Sequence, residues 1–223
     1  MDSFATYIIH NPNLTERREN LASALDNSME AKFIEIENCA PEVINMFYKG
    51  LNPEKWVQKS RNLWYPLPVP RQLSKGEIAA TASHFYSYMD FLSASMKDWI
   101  VVLEDDAVFE SGLPNKIEKL LNDCPARVDA LFIGGGYQHD LVSLTVGIYK
   151  SFIIKHHPAT NTVVGYALKR RMISSIMESF EAFDLPIDFE LAYLLMINNA
   201  LVFHSDPYLI SEGSKSIYKS SLR

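Results

Sequence analysis

Three consecutive acids, Glu104, Asp105 and Asp106, close the apolar run WIVVL at residues 99–103. A buried strand ending this way delivers its carboxylates into whatever crevice lies beyond it. Carboxylates so close together are costly to bury unless a cation neutralises them. Oxygen-only ligands suit hard divalent ions such as Mn²⁺ or Mg²⁺, and those ions suit a substrate carrying a diphosphate. The triplet points to metal-assisted chemistry on a nucleotide-linked substrate. A solvated acidic turn after a strand is the alternative that the triplet alone leaves open.

The elements that must position these acids alternate between strand and helix. Residues 6–10 form a short apolar strand candidate, broken by Asn11-Pro12-Asn13. Thr15 can cap a helix over residues 16–27, with Glu16 favourable in its first turn. Residues 32–36 read as a second strand, and residues 39–73 as a long irregular loop or lid whose WYPLPVP segment cannot be a helix interior. Ser74 and Glu77 form a capping box. Behind it Ile78, Ala82, Phe85, Met89, Leu92 and Met96 recur at steps of four and three, predicting one buried helical stripe. After the strand into the acids come a helix over 114–121, a strand over 129–133 ending in Gly134-Gly135-Gly136, and β-like runs at 146–154 and 163–168. An amphipathic helix carries Met172, Ile173, Ile176, Met177 and Phe180; another spans 189–197, and a late strand spans 200–204. This order predicts an α/β fold with a mostly parallel sheet flanked by helices. In such sheets ligands bind beyond the carboxyl ends of the strands. The acids, the Gly134–Gly136 run and the Asn11–Asn13 turn all follow strands and could line one crevice.

The chain has 223 residues, 48% of them hydrophobic, a formal charge of −6 and two cysteines, Cys39 and Cys124. That suits one α/β domain with a substantial core. The negative balance argues against non-specific binding of nucleic acid. The cysteine spacing suggests neither a zinc site nor a disulfide framework, which fits a reducing compartment. No signal peptide or membrane-spanning run is visible, so the expected place is the cytoplasm, with membrane contact at most peripheral. The segment from about 213 to 223 is Ser-rich and mildly basic, and reads as a loose tail or one that approaches an anion.

Several segments taken together resemble glycosyltransferase family 25, the family of lipooligosaccharide β-galactosyltransferases and collagen galactosyltransferases. They are Tyr7-Ile8-Ile9 followed by Arg17 and Arg18, LSKGEIAATASH at 73–84, VLEDDAVF at 102–109, and DALFIG at 129–134. Gly165-Tyr166-Ala167, Leu185-Pro186-Ile187-Asp188, Pro207-Tyr208-Leu209-Ile210 and Ser216-Ile217 complete the set. Each segment alone is weak; their order across nearly the whole chain is specific. Ala79-Ala80 stand where the family usually has Gly-Cys, and His10-Asn11-Pro12 replaces the usual Asn-Leu-Asp.

The resemblance implies a single GT-A domain over residues 1–223 and inverting, metal-dependent transfer of a hexose, galactose favoured. The donor it implies is a nucleotide sugar, a UDP-sugar in the first place, and the acceptor a glycan or lipid-linked saccharide. It implies Asp106 as metal ligand, Asp105 as a supporting ligand, and Glu104 facing the donor. His204, ending the late strand, is a further candidate ligand, better suited to Mn²⁺ than to Mg²⁺; a surface histidine at a strand end is the alternative. Tyr7, Asn11, Arg17, Arg18, Glu77 and His84 are candidates on the donor side, His84 either touching donor or orienting the acids. An inverting transfer needs a base for the acceptor proton. Asp188 is the candidate, with a helix N-cap as its alternative role, and Glu190 is the reserve. Arg71 could pair with phosphate. Trp56 reads as packing and Trp64 as an acceptor contact, with Tyr65 beside it. Two other classes remain. A metal-dependent phosphohydrolase would want a nucleophilic Asp on the first strand, and residues 6–13 offer none. A catalytically inactive nucleotide-sugar or glycan-binding protein of the same fold would not need the intact acid triplet.

Overall fold

The structure, a computed structural model, describes residues 3–25, 30–35, 41–63, 67, 69–139 and 142–215. Trp64 and Tyr65, and the tail beyond residue 215, lie outside them.

The centre is an eight-stranded sheet. Its first half is β1 (Phe4–His10), β2 (Ala31–Glu35) and β3 (Trp99–Glu104), with β1 parallel to both neighbours. Next to β3 lies β9 (Gly165–Lys169), antiparallel to it and to β5 (Ala130–Phe132). Then follow β10 (Val202–Ser205), parallel to β5, and the hairpin β8 (Phe152–Lys155) and β7 (Thr145–Tyr149) at the far edge. The order is β2-β1-β3-β9-β5-β10-β8-β7. Most strands run one way, as the sequence predicts; β9 and β8 are reversed, so the sheet is mixed. A three-stranded sheet joins β4 (Ala107–Phe109), β11 (Ile210–Glu212) and β6 (Gly134–Gly135) just beyond the acid triplet.

Alternation along the strands sorts the core into two layers. Tyr7, Ile9, Ile100, Val102, Phe132, Tyr166 and Leu168 pack under α4 (Lys75–Ala94), α6 (Arg170–Ser179) and α7 (Ile187–Ile197). Ile8, Val101, Leu103, Leu131, Ile133, Ala167 and Phe203 pack under α1 (Thr15–Leu25) and α5 (Leu113–Asp123). The Val- and Leu-rich run of β3 is buried on both faces, as a central strand demands.

The stretch read as an irregular loop is partly helical. It carries α2 (Pro41–Phe47) and α3 (Pro53–Arg61). Both helices begin at a proline, whose missing N–H has no partner to lose in a first turn, and Asn52 caps α3 by accepting from the Lys55 N–H at 3.0 Å. Trp56 on α3 is 2% exposed and packs in the core, as expected. The capping box at Ser74 and Glu77 forms as predicted. The buried side of α4 is broader than the predicted stripe, because strands and helices surround it: Thr81, Ala82, His84, Phe85, Tyr88 and Phe91 are fully buried. Met96 lies past the end of α4 and is 96% exposed. Among the described residues no helix is long and apolar enough to cross a membrane.

Candidate active site

The alternation that sorts the core also separates the three acids. Glu104 continues the Ile100–Val102 series and faces α4, where its Oε1 lies 3.6 Å from His84 Nε2. Asp105 turns to the other face, toward α1. Arg17 Nη1 donates to its Oδ1 at 2.7 Å. Its Oδ2 accepts from the Asn11 backbone N–H at 3.0 Å and lies 3.2 Å from His10 Nδ1. Asp105 therefore fastens the end of β1 and the start of α1 to the end of β3, with both oxygens engaged. Asp106 begins the turn into β4. Its backbone carbonyl accepts from Gly213 N–H at 2.8 Å and its Oδ2 from Ser214 N–H at 3.0 Å. Asp106 Oδ1 is buried without a hydrogen-bond partner.

These groups open into a cavity of about 460 Å³. Among the described residues, its lining brings Glu104, Asp105, Asp106, Glu77, Asp188 and Glu212 together with only two guanidinium groups, Arg17 and Arg71. Arg17 is committed to Asp105, and Arg71 makes a two-pronged pair with Glu77 at 2.5 and 2.8 Å. Burial first, then the neighbouring charges of Asp106, Asp105 and Glu212, hold the Glu104 carboxyl well above the usual carboxylate range. Burial also raises Asp106, against the lowering effect of its bonds to Ser214. Both groups would be relieved by a cation. Among the described residues no three His, Cys, Asp or Glu side chains converge to cage an ion by themselves. An orphaned buried oxygen on Asp106 is the observation that fits a cation here.

Beneath the cavity lies a polar chain inside the core. His84 Nδ1 is 2.7 Å from the Tyr166 hydroxyl, which is 2.5 Å from the Tyr88 hydroxyl. All three side chains are fully buried. Burial pushes the His84 pKa down to about 3, with Asp188 pulling the other way, so the imidazole is neutral.

Asp188 lines the cavity, but not as a helix cap. The N-cap of α7 is Pro186, and no side chain caps this helix. Asp188 stands in the first turn, where a carboxylate is favoured by the helix dipole, and its backbone carbonyl accepts from Thr160 Oγ1 at 2.8 Å. Glu190, the reserve base, does not reach the cavity. It is fully buried and paired with Lys59 at 2.6 Å, and it accepts from the Asp184 and Leu185 backbone N–H groups. Glu190 ties α3 to α7.

Four further expectations are corrected. The Tyr7 hydroxyl points to the α4 side and donates to Asp90 at 2.8 Å, so it is a core tyrosine rather than a donor contact. Arg18 pairs with Glu35 and lies over the Phe33 ring, outside the cavity. His204 is neither a ligand beside the acids nor a surface residue: it is fully buried, stacks on Phe132 and bonds Tyr208 at 3.0 Å. The glycine run is structural. A Cβ at Gly134 would lie 2.8 Å from Val164, and one at Gly135 would lie 2.5 Å from the Tyr208 ring, so these residues let β6 pack rather than cradle a ligand. The beginning of the C-terminal segment is ordered: residues Gly213–Lys215 form a 3-10 turn against Asp106.

Sequence reasoning missed His10 and Glu212 as cavity residues, and Tyr88 as a member of the buried chain. For His10 a signal exists, because strand alternation after Ile8 puts residue 10 on the α1 face beside Asp105.

By sequence, residues 4–191 match the family described as glycosyltransferase family 25 (LPS biosynthesis protein). No curated protein matches the chain. Among solved structures, A197 from STIV is 13% identical and overlays 90% of this chain and 80% of its own, with a TM-score of 0.44. S. aureus TarS 1-349 is 12% identical, with a TM-score of 0.48 over 96% of this chain, which spans 61% of the TarS chain. The match runs from β1 into the first turn of α7, covers most of the sequence and includes every acid of the cavity except Glu212, so the chain is a glycosyltransferase and belongs to family 25.

Proposed function

We propose that this glycosyltransferase is an inverting enzyme of the GT-A type that moves a hexose, galactose favoured, from a UDP-sugar to a hydroxyl of a glycan or lipid-linked saccharide, as in lipopolysaccharide assembly. The observation that carries this reading is the partnerless Asp106 Oδ1 in a carboxylate-rich cavity that also contains Asp188. Asp106 would hold Mn²⁺ or Mg²⁺, with Glu104 beside it; the ion supplies charge neutralisation for the leaving diphosphate. Asp105 acts indirectly, by fixing Arg17 and the first turn. Glu104 accepts hydrogen bonds from hydroxyl groups of the donor. Arg71 stands at the cavity lining, where it can exchange Glu77 for a substrate phosphate. Asp188 takes the acceptor hydroxyl's proton as the new oxygen–carbon bond forms and the bond to the diphosphate breaks.

Thermal unfolding tests this reading. UDP with Mn²⁺ is expected to raise the melting temperature, by about 2.7 kcal/mol of stability at a ligand concentration near 100 Kd; UDP alone is expected to leave it in place. The pH dependence has a definite sign. Glu104 and Asp106 hold protons more tightly folded than unfolded, so their stabilising contribution is present at low pH and lost as pH rises through the raised values. The cation replaces those protons, so the shift should be larger at about pH 8 than near pH 5. A nucleotide shift independent of metal would mean that the acids do not meet the phosphates through an ion.

A further inference from the structure

The hydrogen-bond directions in the buried chain can be worked out from its closed end. Tyr88 is completely buried, and its hydroxyl bonds the Tyr166 hydroxyl at 2.5 Å. A buried phenol that donates to nothing costs about 1–3 kcal/mol, so the Tyr88 proton goes to the Tyr166 oxygen. The Tyr166 proton must then go to its other neighbour, His84 Nδ1 at 2.7 Å. Nδ1 is therefore the acceptor nitrogen, and a neutral imidazole in this state carries its proton on Nε2. The reverse direction would strand the Tyr88 proton in the core. Nε2 is buried, has no hydrogen-bond partner, and faces Glu104 Oε1 at 3.6 Å, beyond bonding distance. Hydrogen bonds in unliganded sites are often long and tighten when substrate arrives.

We infer that His84 is a positioning residue for Glu104: the Tyr88–Tyr166–His84 chain fixes the Nε2–H tautomer, and that N–H closes onto the Glu104 carboxylate when the nucleotide sugar binds, so that the other carboxylate oxygen meets the donor's hydroxyls. This rests on Glu104 facing the donor, as proposed above. The His84 ring stacks on the Tyr166 ring at 5.8 Å, which keeps it from turning away. The role differs from direct contact, since Ala80, Thr81 and Ser83 of α4 line the cavity and His84 lies behind them.

Two measurements on the full chain test it. In histidine-¹⁵N-labelled protein, long-range ¹H–¹⁵N NMR should show His84 as the Nε2–H tautomer, and Tyr166→Phe should give a mixture. An Nδ1–H tautomer in the wild type would overturn the inference. UDP-galactose with Mn²⁺ is then titrated calorimetrically into the wild type, His84→Gln and His84→Asn. Glutamine can place an N–H where the imidazole Nε2 stands; asparagine reaches only the place of Nδ1. Affinity should stay within about threefold of wild type in His84→Gln and fall roughly tenfold in His84→Asn, the effect of one charge-assisted hydrogen bond. Equal affinities in all three, or equal losses in both variants, would reduce His84 to core filling and overturn the inference. Should neither variant fold, Tyr166→Phe stands in, with an expected loss of about threefold or more, and no loss would overturn the inference. No binding by wild type that shows the Nε2–H tautomer would overturn the donor reading and the positioning role together; binding by wild type that shows the Nδ1–H tautomer would overturn the positioning role alone.

Discussion

Asp106→Asn is expected to lower sugar transfer by roughly 10²–10³-fold, the cost of removing one charge-stabilising group from an active site, while the melting temperature holds or rises slightly. The two effects separate because the wild-type carboxylate is poorly placed for stability. Its Oδ1 is buried with no partner and burial raises its pKa, so ionised Asp106 is a burden on the folded state. Asparagine removes that charge, and its amide oxygen can still accept from the Ser214 N–H. A variant that unfolds, or one that transfers sugar at the wild-type rate, would contradict the assignment. The contrasting change is Asp105→Asn. It breaks the pairing with Arg17 and His10 and should lose stability along with activity.

Asp188→Asn is expected to reduce transfer by about 10²–10⁴-fold, the usual contribution of a general base, with donor binding preserved. Stability should fall by no more than about 1 kcal/mol, the helix-dipole contribution of a first-turn carboxylate, since α7 has no side-chain cap to lose. The comparison with Glu190, two residues along the same helix, makes the test sharp. Glu190→Ala removes one of the two carboxylates paired with buried Lys59 and strands the Asp184 and Leu185 backbone N–H groups, so it should cost roughly 3–5 kcal/mol of stability, with no specific effect on the chemical step in whatever fraction stays folded. If Asp188→Asn keeps a near wild-type rate, the base lies elsewhere in the cavity.

Much of this site can be read in the sequence, and the limits have physical causes. The run into Glu104-Asp105-Asp106, the capping box of α4 and the strand-helix order all depend on local pattern, and all appear in the structure. Asp188 shares the cavity with the acids although 82 residues or more separate them in sequence. Three adjacent acids look equivalent as a string, yet strand alternation gives Glu104 to the α4 side and Asp105 to the α1 side, with Asp106 in the turn. Arg17 and Arg18 divide likewise: successive helical residues point about 100° apart, so one meets Asp105 and the other Glu35. Residues whose role depends on distant partners were illegible. Glu190 finds Lys59 across 131 positions, and His204 settles against Phe132 instead of the acids. Helices α2 and α3 were hidden because their prolines look like breakers until they are seen to start the helices.

The most direct measurement is release of nucleoside diphosphate from a panel of nucleotide sugars, with a glycan acceptor, in Mn²⁺ and in excess EDTA. Release from a UDP-hexose that needs Mn²⁺, stops in EDTA and is lost in Asp106→Asn is the expected result. Full turnover in excess EDTA, or no release from any donor of the panel, would contradict a metal-assisted transfer at Glu104 and Asp106.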